Sequence, residues 1–186
     1  MFPLNLPNVL TLVRMLLVPV VVAGLLVETR SGSVIAAAVF ALAAASDVLD
    51  GRLARSRETV TTFGKVMDPV ADKLLIIAAL VALVSLDRLA VWIAVVITVR
   101  ELAVTGLRVA AGAQGYLIPA SSFGKAKTVL QVVAVFSLIA APDPGAAWID
   151  VLLGAAVVVT VASGVDYFLN VRRRSEPARA TPAPPR

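Results

Sequence analysis

The chain has 186 residues, of which 59% are hydrophobic, 16% charged and 5% aromatic, with a net charge of +5 and a mean hydropathy of +0.92. Soluble globular domains run nearer to about 45–50% apolar and about 25% charged residues, so an ordinary soluble domain is excluded. With no histidine and no cysteine, disulfides, thiolate metal sites and imidazole bases are excluded too, and the basic excess in so apolar a chain points to anionic membrane lipids rather than nucleic acid.

Residues 1–8, MFPLNLPN, lack a basic n-region, and no small-residue cleavage signature follows, which predicts no cleaved signal peptide. The first apolar span covers roughly 9–27, with Asn8 or Thr11 as its cap, Pro19 as a kink and Arg14 about one turn in. Arg14 either snorkels to the headgroups or faces a polar cavity between helices. After ETRSGS a second run covers 34–56 and ends in SDVLDGRLARS; a third, 69–86, opens in KVMDPVADK. The fourth, 89–110, is interrupted by TVRELAVTGLR, the fifth, 125–141, opens with GKAKT, and the sixth covers 147–169. At about 20 residues per bilayer crossing, this predicts an all-α integral membrane protein with six transmembrane helices in residues 1–170. Residues 171–186 form a basic, Pro/Ala-rich tail without the apolar residues of a packed core, which predicts disorder there.

Arg52, Arg55, Arg57 and Lys65 lie between spans two and three, Arg108, Lys125 and Lys127 between four and five, and Arg172, Arg173 and Arg174 after six. These connections share one side, so the positive-inside rule places both the N and C termini in the cytoplasm. The aspartates fall at the same end, within reach of a water-soluble substrate.

Asp47 and Asp50 are three residues apart, and Asp68 and Asp72 are four apart. On helices each pair shares a face. Like charges near a membrane need neutralising cations or protons. An all-oxygen donor set without histidine suits Mg²⁺ or Mn²⁺, with two ions sharing the four carboxylates as in two-metal phosphoryl transfer. Two alternatives stand beside this: structural salt bridges to Arg52, Arg55, Lys65 and Lys73, and a cation or proton pathway. The pathway is weakened by the lack of matching acids deeper in the predicted bilayer.

Gly51 and Gly64 allow close approach of a ligand to the backbone, and Arg55 is placed to hold a phosphate. The full string is Asp47-x2-Asp50-Gly51-x2-Ala54-Arg55-x8-Gly64-x3-Asp68-x3-Asp72. It resembles, at every specified position, the signature of the CDP-alcohol phosphatidyltransferase family. The resemblance implies that family's six-helix fold, its location in the bacterial cytoplasmic membrane with a cytoplasm-facing site, and a homodimer. It further implies two divalent ions bound by Asp47, Asp50, Asp68 and Asp72, with Asp72 also the general base, and a CDP site shaped by Asp47, Gly51, Ala54, Arg55 and Gly64.

Arg100, Arg108, Lys125 and Lys127 can surround an anion, which suggests a phosphorylated acceptor. NLPNVLTLVRMLLVP, VRELAVTGLR and GKAKT extend the resemblance to family members that transfer the phosphatidyl group of CDP-diacylglycerol to sn-glycerol 3-phosphate. Inositol phosphate, serine and phosphatidylglycerol are the alternative acceptors. On this reading Arg100, Arg108, Lys125, Lys127 and Arg14 contact the acceptor, Ser121 and Thr128 cap helix starts or add hydrogen bonds, and Trp148 and Tyr167 are interfacial aromatics. Trp92 is lipid-facing or packed.

Overall fold

The computed structural model describes the backbone of residues 6–57, 62–113 and 122–175, and the side chains of 9, 11–46, 73–112, 124 and 126–172. Among these residues every regular element is a helix: α1 (Leu6–Leu26), α2 (Arg30–Arg57), α3 (Thr62–Ser85), α4 (Val91–Ala113), α5 (Ser122–Ala140) and α6 (Ala147–Ser175). The six helices match the six apolar runs in order. α1 begins earlier than expected and continues through Pro19, so Thr11 is a buried interior residue rather than a cap. α6 extends past the expected limit near residue 169 through Arg172, Arg173 and Arg174. Cations in a last helical turn complement the macrodipole, so that basic run lengthens the helix instead of ending it.

Local chemistry explains the tight ends. Thr29 caps α2, its Oγ1 accepting the Gly32 N–H at 3.1 Å while its carbonyl accepts the Ser33 N–H. At the end of α3, Arg88 N–H bonds the Leu83 carbonyl and Asp87 N–H the Val84 carbonyl, with Asp87 at φ 54°. This is the paired bond pattern of a Schellman cap, with an aspartate where glycine is usual. Arg88 Nη1 then donates to Ser33 Oγ at 3.5 Å, so the α1–α2 and α3–α4 connections meet at one end of the bundle, as alternating up-and-down helices require.

α1 packs on α2 and α3, α5 on α2 and α6, and α4 on α6 and α3. Helical spacing defines the buried stripes: Val18, Val21 and Leu25 on α1; Ala36, Phe40 and Ala43 on α2; Leu75, Ala79 and Leu83 on α3. The α1–α2 contact depends on glycine. A Cβ on Gly32 would lie 2.6 Å from the Gly24 carbonyl oxygen, a backbone atom that cannot rotate away. Gly32→Ala is therefore expected to cost about 1–3 kcal/mol, read as a lower thermal midpoint in detergent; an unchanged midpoint would show that the hairpin has room to spare.

Three stripes change character along their length. On α6 the buried series Ile149, Leu153, Ala156 continues as Thr160, Ser163 and Tyr167; α5 passes from Leu138 and Ala134 back to Gln131 and Lys127; α4 passes from Ile93 and Ile97 to Glu101. The alternating chain direction brings these polar portions to one end of the bundle. The segments of α2 and α3 that hold the four aspartates lie toward that same end.

Candidate functional site

Glu101 is the centre of the polar end. It is 2% exposed, yet both carboxylate oxygens are engaged. Oε2 accepts from Lys73 Nζ of α3 at 2.9 Å, and Oε1 accepts from Lys127 Nζ of α5 and, at 3.4 Å, from Arg100 Nη1. Lys127 is 3% exposed. Buried charges need this kind of multiple pairing, because desolvation exceeds what a single imperfect contact returns.

The network continues onto α6. Arg100 Nη2 donates to Ser163 Oγ at 2.9 Å, Ser163 Oγ donates to the Thr160 carbonyl at 2.9 Å, and Gln131 Nε2 donates to Thr160 Oγ1 at 3.1 Å. Gly164 makes room for this: a Cβ there would come within 3.2 Å of Arg100 Cγ. Two buried atoms, Arg100 Nε and Tyr167 Oη, have no hydrogen-bond partner among the described residues. Unsatisfied buried donors are rare, and a bound water or a ligand atom is the usual partner of such a group. Lys73, Glu101, Lys127, Thr128 and Gln131 form the polar side of a cavity of about 390 Å³, whose remaining wall runs over Ala41, Ala43, Ile76, Val132 and Phe136.

The candidate acceptor residues therefore separate. Arg100 and Lys127 come together at Glu101, whereas Arg108 is exposed, its guanidinium 5.7 Å from the centre of the Tyr167 ring, a cation–π contact. Arg14 is 3% exposed and lies inside the bundle, which removes the snorkelling alternative. The Lys125 side chain lies outside the described residues. Thr128 Oγ1 donates to the Gly124 carbonyl at 3.1 Å, bonding back along its own helix; Ser121 lies outside the described residues. Trp92 and Trp148 are exposed, but Tyr167, expected at the interface, is 5% exposed because its position continues the buried α6 stripe.

For the acidic motif the backbone is the informative part. α2 is continuous through Asp47 and Asp50, and α3 through Asp68 and Asp72, so each pair shares one helix face as the spacing requires. An all-carboxylate set on two helix faces fits a hard divalent cation. The side chains of these four residues and of Ala54 and Arg55, as well as the surroundings of Gly51 and Gly64, lie outside the described residues.

The sequence profile described as CDP-alcohol phosphatidyltransferase matches residues 4–162. The chain belongs to the CDP-alcohol phosphatidyltransferase family. It is 39% identical over 180 residues to a Bacillus subtilis protein named CDP-diacylglycerol–glycerol-3-phosphate 3-phosphatidyltransferase, covering 88% of this chain and 93% of that one. It is 42% identical over 174 residues to a Mycobacterium tuberculosis protein named "Probable phosphatidylglycerophosphate synthase", covering 91% and 82%. A Rickettsia felis protein with the same name as the Bacillus one is 34% identical over 169 residues, covering 88% and 93%. The matched range spans both aspartate pairs and Lys73, Arg100, Glu101 and Lys127, and ends one residue before Ser163.

Sequence reasoning singled out Arg100 and Lys127 but passed over Glu101 and treated Lys73 only as a partner for the aspartates. The missed signal was present: an acid inside an apolar run must be answered by charge, and Arg100 beside it was too distant to answer both oxygens.

If the Tyr167 hydroxyl serves a ligand, Tyr167→Phe removes one hydrogen bond without changing packing. The expected result is a rise in acceptor KM of about fivefold; an unchanged KM would make the hydroxyl a bystander.

Proposed function

We propose that this chain transfers the phosphatidyl group of CDP-diacylglycerol to sn-glycerol 3-phosphate, giving phosphatidylglycerophosphate and CMP. The observation that supports it most is the 39% identity, over 88% of the chain, to a relative named for this transfer. The acceptor's C1 hydroxyl oxygen bonds to the β-phosphorus, the pyrophosphate bond breaks, and CMP leaves with the electron pair. Asp72 takes the hydroxyl proton. Asp47, Asp50, Asp68 and Asp72 hold two divalent ions, Mg²⁺ or Mn²⁺, which supply charge neutralisation at the donor pyrophosphate. Gly51, Ala54, Arg55 and Gly64, with Asp47, shape the CDP site. Lys127 and Arg100 provide the buried part of the positive field for the acceptor phosphate, where exclusion of water strengthens it, and Lys125, Arg108 and Arg14 add charge around it.

The reading extends to a multi-pass protein of the bacterial cytoplasmic membrane. Leu12, Leu16, Leu42, Val81, Val95, Val151 and Val158 are exposed while Arg14, Glu101, Lys127, Gln131 and Thr160 are buried. Apolar outside and polar inside is the distribution a lipid solvent favours. Among the described residues, the stretch Ala147–Arg172 alone is long and apolar enough to cross a membrane by length and composition. The other helices have 19 to 28 residues, and at 1.5 Å per residue the shortest still reaches roughly 29 Å, close to a hydrocarbon core of about 30 Å. On this reading all six cross, both termini lie in the cytoplasm next to anionic lipids, and the protein is a homodimer.

The purified enzyme with CDP-diacylglycerol and Mg²⁺ should release CMP with sn-glycerol 3-phosphate and form phosphatidylglycerophosphate. Inositol phosphate, serine and phosphatidylglycerol, offered in parallel, should give little product. A preference for any of the three would reassign the acceptor.

A further inference from the structure

Glu101 sits within an apolar helix, where a carboxylate costs a few kcal/mol unless answered. Its answer is threefold: Lys73 on one oxygen, Lys127 and Arg100 on the other. Through Arg100 and Ser163 the same carboxylate reaches α6. Three helices thus meet at one side chain, and a fourth is tied to it through Arg100. Packing alone does not call for this, since well-packed apolar residues commonly replace buried ion pairs without loss of stability. What a shared carboxylate does provide is orientation. Two lysines, long side chains that lose much rotamer freedom on immobilisation, are fixed before a ligand arrives.

Their place gives that orientation a use. Lys73 directly follows Asp72 in the chain, and Lys73, Glu101 and Lys127 line the polar side of the cavity. Lys127 and Arg100 share a single carboxylate, which cannot neutralise both, and Arg100 Nε has no partner among the described residues. Positive charge therefore remains on the polar side of the cavity for an anion, with Lys73 and Lys127 lining it and Arg100 behind them on the same carboxylate.

We propose that Glu101 is a positioning residue for the acceptor: it holds Lys73, Lys127 and Arg100 as a preformed cationic cradle for the acceptor's phosphate. The proposal rests on the glycerol 3-phosphate reading above. It follows the rule that a binding group held in place by a supporting shell loses less freedom when the ligand arrives.

The test is steady-state kinetics on the purified full chain, varying each substrate separately. Glu101→Gln keeps the shape but replaces one accepting oxygen with a donor aimed at a cation. It should raise the KM for sn-glycerol 3-phosphate about tenfold or more, with the KM for CDP-diacylglycerol within about twofold and kcat falling less than KM rises. Glu101→Asp, which keeps the charge on a shorter arm, should recover part of the loss. An unchanged or lowered acceptor KM in Glu101→Gln, or equal rises for both substrates, overturns the proposal. A purely structural residue would instead lower the thermal midpoint while the folded fraction kept its acceptor KM. If Glu101→Gln does not fold, Glu101→Asp is read by the same criteria, and failure of both to fold makes the residue structural and overturns the cradle. A wild-type enzyme that ignores sn-glycerol 3-phosphate overturns the functional reading along with it; a wild type that uses it, beside an unaffected Glu101→Gln, overturns the cradle alone.

Discussion

Asp72→Asn is expected to lower CMP release by about 10²–10⁴-fold at saturating metal and acceptor, the range usual for loss of a positioned general base. The amide matches the carboxylate in size but cannot take the acceptor's proton. Asp72 also belongs to the proposed metal set, so a second variant separates its two roles. Asp47→Asn loses a ligand but no base, and raising the metal concentration tenfold should restore part of its activity. The same increase should leave Asp72→Asn unimproved. Undiminished CMP release from Asp72→Asn would remove it as the base, and equal rescue of both variants would reduce it to a ligand.

The residues that could be found from sequence are those whose partners lie nearby in the chain. Asp47 and Asp50, or Asp68 and Asp72, declare a shared helix face by spacing alone, and glycines and an arginine at fixed distances make the motif specific. The six helices were legible for a similar reason, because long apolar runs broken by polar connections leave few other arrangements. The Glu101 network was not. Lys73 and Lys127 lie 28 residues before and 26 residues after it, and only the packing of α3, α4 and α5 brings them onto the same carboxylate. Tyr167 shows the opposite error. As a residue type near the end of a span it reads as an interfacial aromatic, whereas its position on the α6 stripe, four residues after Ser163, turns it inward. Arg14 was legible as two alternatives, and burial within the bundle decides between them. The basic run at 172–174 reads as a break in composition, but charge at a helix C-terminus is compatible with continuing the helix.

Chelation of divalent cations is expected to have the broadest effect, because on the proposed reading it removes the charge balance of the acidic motif. CMP release should fall to background, a loss of at least about 10³-fold if the ions provide most of the stabilisation of the departing CMP. The thermal midpoint should fall as well. A cation present at about 100 times its dissociation constant adds about 2.7 kcal/mol to stability, which for a chain of this size is about 5–10 °C. The sign follows from the proposed metal set: four carboxylates gathered on shared ions repel one another once the ions leave, and must otherwise take up protons. Mg²⁺ or Mn²⁺ should restore both activity and midpoint. In the double variant Asp47→Asn/Asp50→Asn the midpoint should respond less to chelation, since half the repulsion is gone. If chelation moves neither activity nor midpoint in the wild type, the four aspartates are structural ion-pair partners, and the metal-dependent reading of the whole acidic motif falls with them.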